Sequence, residues 1–272
     1  MKFLDLNTPN RKSGGWRARL TLGLILALLA SGLQSGAQLP ANSQSNTPSS
    51  TPGKVPPPPV PAEMTTPSAA TPSRAAARFV VVIDAAHGGA DSGARLSNRL
   101  MEKDLVLALS VRLRSVLGAH GISVVTTRES DGAIPDLNRA ETANHAAAAA
   151  CISLHATTSG SGVHLFTSSL TQIPMTRFLP WETAQGAYAE QSLRLSSEID
   201  SAMSHADIPV TLGRTALQPL DSFTCPAVVV ELSPLTKTGK VNPLSDPDYQ
   251  DQIVATMAAA VEQWQRDWRQ QP

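Results

Sequence analysis

Four side chains of this 272-residue chain have the types needed for metal-assisted hydrolysis: His87, Glu102, His155 and Glu231. Two neutral imidazoles and one carboxylate form a common zinc-ligand set with a fourth position open for water, and a second carboxylate nearby can take that water's proton. His87 follows the apolar run Phe79–Ile83, His155 follows Ile152-Ser153-Leu154, and Glu231 ends the run Ala227–Val230. Glu102 lies in the first turn of a helical stretch, within Met101-Glu102-Lys103-Asp104. Taken singly, each residue also reads as a capped or hydrogen-bonded polar group. Three of the four share a position at strand ends, and Glu102 lies at the helix start beside the first strand's loop.

The elements that must position these side chains alternate between two periods. Short apolar runs at Phe79–Ile83, Ser123–Thr127, Ala150–Leu154, Val163–Phe166 and Ala227–Leu232 read as strands. Between them, Glu102–Leu117 carries Leu105, Leu109 and Leu113 on one stripe and stops at His120-Gly121. Further helices are expected over Asp136–Ala148 and Glu182–Ala206. A last one runs to about Trp268, opened by a capping box at Ser245 and Asp248. Strands alternating with helices predict a single α/β domain over residues 79–272, with a mostly parallel or mixed central sheet flanked by helices. A parallel-type sheet brings the ends of its strands to one edge, where open α/β sheets place ligands.

The first quarter of the chain is not domain-like. Residues 1–37 join a basic segment, the apolar run Leu20–Leu33 and the small residues Ser35-Gly36-Ala37, the pattern of a secretory signal peptide. A membrane span would want about 20 apolar residues, so no stable span is expected after cleavage. Export follows, to a periplasm or to the extracellular space and wall. Residues 38–78, rich in Pro, Ser and Thr, read as a disordered linker.

Of the 22 basic and 22 acidic residues, the leader holds five and one, which leaves the remainder at a net −4. No Lys/Arg cluster with interleaved aromatics occurs there, which argues against nucleic acid as a partner. The two cysteines, Cys151 and Cys225, sit in or beside apolar runs; a disulfide is permitted, and two buried free thiols are the preferred reading. His145 and His164 can approach the site and are read as structural. Arg128 is expected to pair with Asp131 or a backbone carbonyl. Gly88–Gly93 is glycine-rich but lacks dinucleotide-binding spacing.

Five ordered blocks carry a family resemblance: Val81–Gly89, Glu102-Lys103-Asp104, Thr127–Asp131, Ser153-Leu154-His155 and Pro226–Leu232. Together they resemble the zinc-dependent N-acetylmuramoyl-L-alanine amidases with the amidase_3 catalytic domain, over nearly all of residues 79–268. The resemblance implies Zn2+ held by His87, Glu102 and His155, with Glu231 as the catalytic carboxylate. It implies hydrolysis of the amide between N-acetylmuramic acid and L-alanine, with peptidoglycan as substrate; a monomer is expected. For Leu137-Asn138-Arg139 and Ala143-Asn144, which also match, it implies a structural role. The chain departs from the family pattern at Ala85-Ala86, Thr157, Ser233-Pro234 and Lys237. Those departures motivate an alternative, a catalytically degenerate peptidoglycan-binding or regulatory domain on the same fold.

Overall fold

The β-branched run after Phe79 becomes strand β1 (Val80–Ala85), buried along its whole length, in a computed structural model that describes residues 78–175 and 179–270. The chain divides into two units, Met1–Thr65 and Thr66–Pro272, and every described residue falls in the second. The expected leader and, apart from Arg78, the expected linker lie outside the described residues.

Among the described residues the central sheet has six strands. β1 is joined by β2 (Ser123–Thr126), β3 (Ala150–Ala156), β4 (Val163–Ser168), β5 (Val210–Thr215) and β6 (Ala227–Leu232) in the order β2-β1-β3-β6-β4-β5. β2, β1, β3 and β6 run parallel, while β4 is antiparallel to β6 and β5 is parallel to β4. The sheet is therefore mixed, as expected. A small hairpin of β7 (Leu235–Lys237) and β8 (Lys240–Asn242) stands apart from it. The helices are α1 (Glu102–Ala119), α2 (Asp136–His145), α3 (Ala189–His205) and α4 (Pro247–Gln270).

Side chains on a strand alternate between faces, and here the alternation separates two cores. Val81, Ile83, Ile152, Leu154, Val228, Val230 and Leu165 pack with Leu105, Leu109, Leu195, Ile199, Ile253 and Trp264 from α1, α3 and α4. Val82, Cys151, Ala227 and Val229 face the other way, onto Ala140 and Ala143 of α2 and onto Leu220 and Phe223. Burying one such Leu, Ile or Val contributes about 1.5–3 kcal/mol, so the first, larger core carries most of the stabilisation. The second layer is thin. Asp84, Ser153, His155, Glu231 and His164 take the alternate positions on that thinner side, where less helix covers the strand ends.

Several expectations are corrected. Cys151 and Cys225 are joined in a disulfide with Cα atoms 6.1 Å apart, rather than being free thiols. Cys151 lies opposite Ala227 in the β3–β6 register, which puts Cys225, two residues before, within reach. The helix expected from Glu182 starts as a 3-10 segment, Trp181–Tyr188, kinked at Thr183, and α3 begins only at Ala189. Gln185 explains this: its buried side-chain amide donates to the carbonyls of Phe223 and Cys225 and ties the segment to the chain before β6. The expected capping box at Ser245 is replaced by Asp246, whose carboxylate accepts from the amide of Asp248 at 3.1 Å, with Pro247 opening α4. α2 ends at His145 rather than Ala148. Among the described residues, no helix is long and apolar enough to cross a membrane.

Candidate functional site

His87 stands just past β1, where the backbone turns sharply. Its φ of +59° is left-handed and costly for a non-glycine residue, and such strain persists only where the surroundings impose it. Two buried arginines do so. Arg139 donates to the carbonyls of Ala85 (2.6 Å) and His87 (2.6 Å), while Arg128 donates to those of Ala85 (2.8 Å), Ala86 (2.9 Å) and Lys103 (2.8 Å). Arg128 thus binds backbone carbonyls, one of its two expected partners, and Asp131 pairs with Lys103 instead. Arg139 is in turn paired with Asp84, 1% exposed, which also accepts from Thr127 and Ser153. The altered Ala85-Ala86 turn is held from outside by these guanidinium groups.

His155 is the penultimate residue of β3 and Glu102 the first of α1, and both meet His87. His87 Nε2 lies 3.2 Å from Glu102 Oε2, and His155 Nδ1 lies 2.9 Å from Glu102 Oε1. The two imidazoles stand edge to face, with centroids 5.4 Å apart. Asp91 accepts from His87 Nδ1 at 2.7 Å, which leaves Nε2 turned to Glu102. An imidazole that ligates through one nitrogen commonly hands its other N–H to a carboxylate in this way.

The cluster fits zinc by two tests. One ligand atom from each of His87, Glu102 and His155 lies within 4.8 Å of the others. Two ligands on a tetrahedral zinc, bonded at about 2.1 Å, stand about 3.4 Å apart, close to the separations seen here. The charge state also suits. Burial pushes the Glu102 carboxyl upward, but hydrogen bonds from His155 and from the amides of Ala94 and Ala156 outweigh it and hold the pKa below the ordinary value. The hydrogen bond from His87, reinforced by the amide of Gly93, likewise lowers Asp91. A carboxylate that stays ionised between two imidazoles can hold a divalent cation.

Gly93 gives two of these side chains, His87 and Glu102, room. A Cβ at that position would fall 2.6 Å from both Glu102 Oε2 and His87 Cδ2, and its φ is +61°. Gly88 shows the same economy against backbone: a Cβ there would meet the Gly132 carbonyl oxygen at 2.2 Å.

Glu231, the fourth residue of the expected set, is the register partner of His155 across β3 and β6. Its Oε2 accepts from His164 Nδ1 at 2.9 Å. His164, expected to be structural, is thus brought against the site by β4, whereas no contact of His145 with it is seen among the described residues. A groove of about 410 Å³ opens over His87, Asp91, Arg139 and His155, flanked by Pro135 and by Leu217 and Pro219. The departures at Thr157, Ser233 and Lys237 leave the cluster assembled. Thr157 caps the amide of Ser159, Ser233 is held through its backbone by Tyr249 and Gly162, and Lys237 pairs with Asp207.

Comparison with known proteins agrees with this geometry. Residues 81–263 match the family Amidase_3, N-acetylmuramoyl-L-alanine amidase. Over 77 residues, 28% of this chain, the sequence is 44% identical to the N-acetylmuramoyl-L-alanine amidase AmiA of Escherichia coli (strain K12). That stretch spans only 27% of the relative's own length. Over 198 residues it is 26% identical to the germination-specific N-acetylmuramoyl-L-alanine amidase of Bacillus subtilis (strain 168), covering 65% of this chain and 76% of that one. The fold is similar to the catalytic domain of CwlV, an N-acetylmuramoyl-L-alanine amidase from Bacillus (Paenibacillus) polymyxa var. colistinus. That likeness has a TM-score of 0.55 at 22% identity, over 69% of this chain and 98% of that one.

Proposed function

Because the chain belongs to the N-acetylmuramoyl-L-alanine amidase family Amidase_3, we propose that it is an exported, zinc-dependent amidase of peptidoglycan. The bond cut is the amide between N-acetylmuramic acid and L-alanine. One observation carries the reading: two imidazoles and a carboxylate, from the turn after β1, from β3 and from α1, converge, with a second carboxylate beside them on β6.

In this reading His87, Glu102 and His155 hold the metal. When bound, zinc supplies a Lewis acid for the scissile carbonyl and a lowered pKa, about 7, for the attacking water. Everything else falls to the chain's own groups. Asp91 fixes the tautomer and direction of the His87 ring by accepting from Nδ1. The amides of Ala94 and Ala156 keep Glu102 ionised and aimed between the rings. Glu231 takes the proton from the attacking water and delivers it to the departing amine, a role for a carboxylate within hydrogen-bond reach. The groove beside His87 and His155 receives the substrate around the scissile bond.

Residues 1–37 serve as the cleaved signal peptide and residues 38–78 as a tether. The Cys151–Cys225 disulfide supports export, since such bonds persist in oxidising compartments and are rare in the cytosol. Incubating the zinc-loaded protein with purified sacculi tests the function. Stem peptides ending in a free L-alanine amine should be released, and a chelator should stop their release. Pelleting with sacculi without any release would contradict the reading.

A further inference from the structure

We propose that His164, backed by Ser233, is a positioning residue that holds the Glu231 carboxylate in its working orientation. The inference rests on the reading of Glu231 as the proton-transferring group. β4 runs antiparallel to β6, so the start of β4 lies at the same sheet edge as the ends of β3 and β6. The register then sets His155, Glu231 and His164 side by side on three neighbouring strands.

The contacts form a short chain. His164 Nδ1 lies 2.9 Å from Glu231 Oε2, and His164 Nε2 lies 3.3 Å from Ser233 Oγ. An ionised carboxylate only accepts, so Nδ1 carries the proton. Nε2 faces the Ser233 hydroxyl, a group able to donate to it, so the ring is held at both nitrogens with Nδ1 turned to Glu231. Order resembling a hydrolytic triad is present, but Ser233 is 0% exposed and cannot reach a substrate. Ser233 is an anchor. Tyr249 donates to its carbonyl at 2.9 Å, and its amide donates to the Gly162 carbonyl at 2.9 Å.

The ring of His164 is itself confined. It stands edge to face with Phe166, centroids 6.4 Å apart, and a Cβ on Gly160 would come within 2.4 Å of its Nε2. Glu231 is more open, its side chain 29% exposed against 17% for His164. A half-open glutamate has several rotamers to sample, and the His164 N–H selects one. With Oε2 occupied in this way, Oε1 is the oxygen that handles protons. The loss on removing His164 therefore falls on turnover rather than on substrate or metal binding.

The test uses the full zinc-loaded chain and three variants, His164→Phe, His164→Asn and Glu231→Gln, on a soluble muropeptide and on sacculi. His164→Phe keeps a ring against Phe166 but removes the donor. Its kcat should fall about 10–100-fold, with KM within about two-fold of the parent and zinc content unchanged. His164→Asn, whose amide can donate from the place of Nδ1, should recover most of that loss. Nitrogen-15 spectra of the histidine rings of the parent should show, besides the Nδ1-protonated ring of His87, a further ring protonated at Nδ1 that is absent from His164→Phe. Parent-like kcat in His164→Phe, a loss confined to KM, or an Nε2–H tautomer for His164 would each overturn the proposal. A parent without activity, or a Glu231→Gln variant with full activity, would instead overturn the reading of the site. In that event the ring spectra still decide whether His164 donates to Glu231.

Discussion

Glu231 on β6 stands directly opposite His155 on β3, in a parallel register that runs from Cys151–Ala227 to Ala156–Leu232. One pairing of strands thus delivers to the same edge both the imidazole proposed to hold metal and the carboxylate proposed to handle the proton. The two have different tasks, which mutation can separate. Glu231→Gln should retain zinc and lose at least about 100-fold in hydrolysis, while His87→Ala should lose both. Metal content measured beside sacculus release checks the division, and equal zinc loss in the two variants would contradict it.

Gly93 offers a sharper probe of the centre, because a single methyl group would press on two of its members. Gly93→Ala should weaken zinc binding about 10–100-fold in competition with a chelator, a magnitude typical of disturbed groups behind a ligand. It should also cost about 1 kcal/mol or more of stability from the positive φ. Unchanged zinc affinity would mean that Glu102 and His87 can move aside without consequence.

The disulfide closes a loop of 74 positions between Cys151 and Cys225. By the loop-entropy argument its removal should cost about 4–5 kcal/mol. Urea unfolding of the Cys151→Ser, Cys225→Ser double variant against the oxidised parent measures this, and coincident midpoints would refute it.

Acid should destabilise the metal-free protein through Glu102. Its folded pKa lies below the ordinary value of 4.5 because the bonds from His155, Ala94 and Ala156 overcome the opposing effect of burial. A depressed folded pKa contributes stability that is present above pH 4.5 and lost as the pH falls through the lower folded value. Thermal unfolding of metal-free protein across that window should show a steeper acid limb in the parent than in Glu102→Gln. Parallel limbs would remove the carboxylate from the account.

Asp84 and Arg139 form a buried pair beneath His87, exposed by 1% and 3%. Truncating one member strands the other's charge, so Arg139→Ala should cost about 3–5 kcal/mol and loosen the His87 turn. Calorimetry of the variant checks the magnitude. A change below 1 kcal/mol would show that Thr127 and Ser153 alone satisfy Asp84.

Much of this was legible in the residues. The runs before His87, His155 and Glu231 are densely apolar, so their strands follow from pattern, while the meeting of their ends at one site rests on the family motifs as well. His164 is legible as a histidine able to approach the site, but its place beside Glu231 is not, for a directional reason: the ends of parallel strands are the places to look, and His164 lies near the start of an antiparallel one. β5 escaped because it is a sheet-edge strand with an exposed Leu212 and an interior Gly213, set where the Phe166 ring would lie 2.7 Å from a Cβ. The disulfide depended on β3 pairing with β6, a neighbour relation that skips β4 and β5 in the sequence and leaves no periodic trace. The break before α3 arises from the tertiary bonds of Gln185, and helical periodicity runs straight through them.

The central claim is that His87, Glu102 and His155 share one zinc ion beside Glu231, and anomalous diffraction at the zinc edge tests it most directly. A single strong peak is expected, bonded to His87 Nε2, a Glu102 oxygen and His155 Nδ1, at about 2.0–2.2 Å. A zinc-loaded, hydrolytically active crystal with no peak among these three side chains, or with its peak elsewhere, would contradict it.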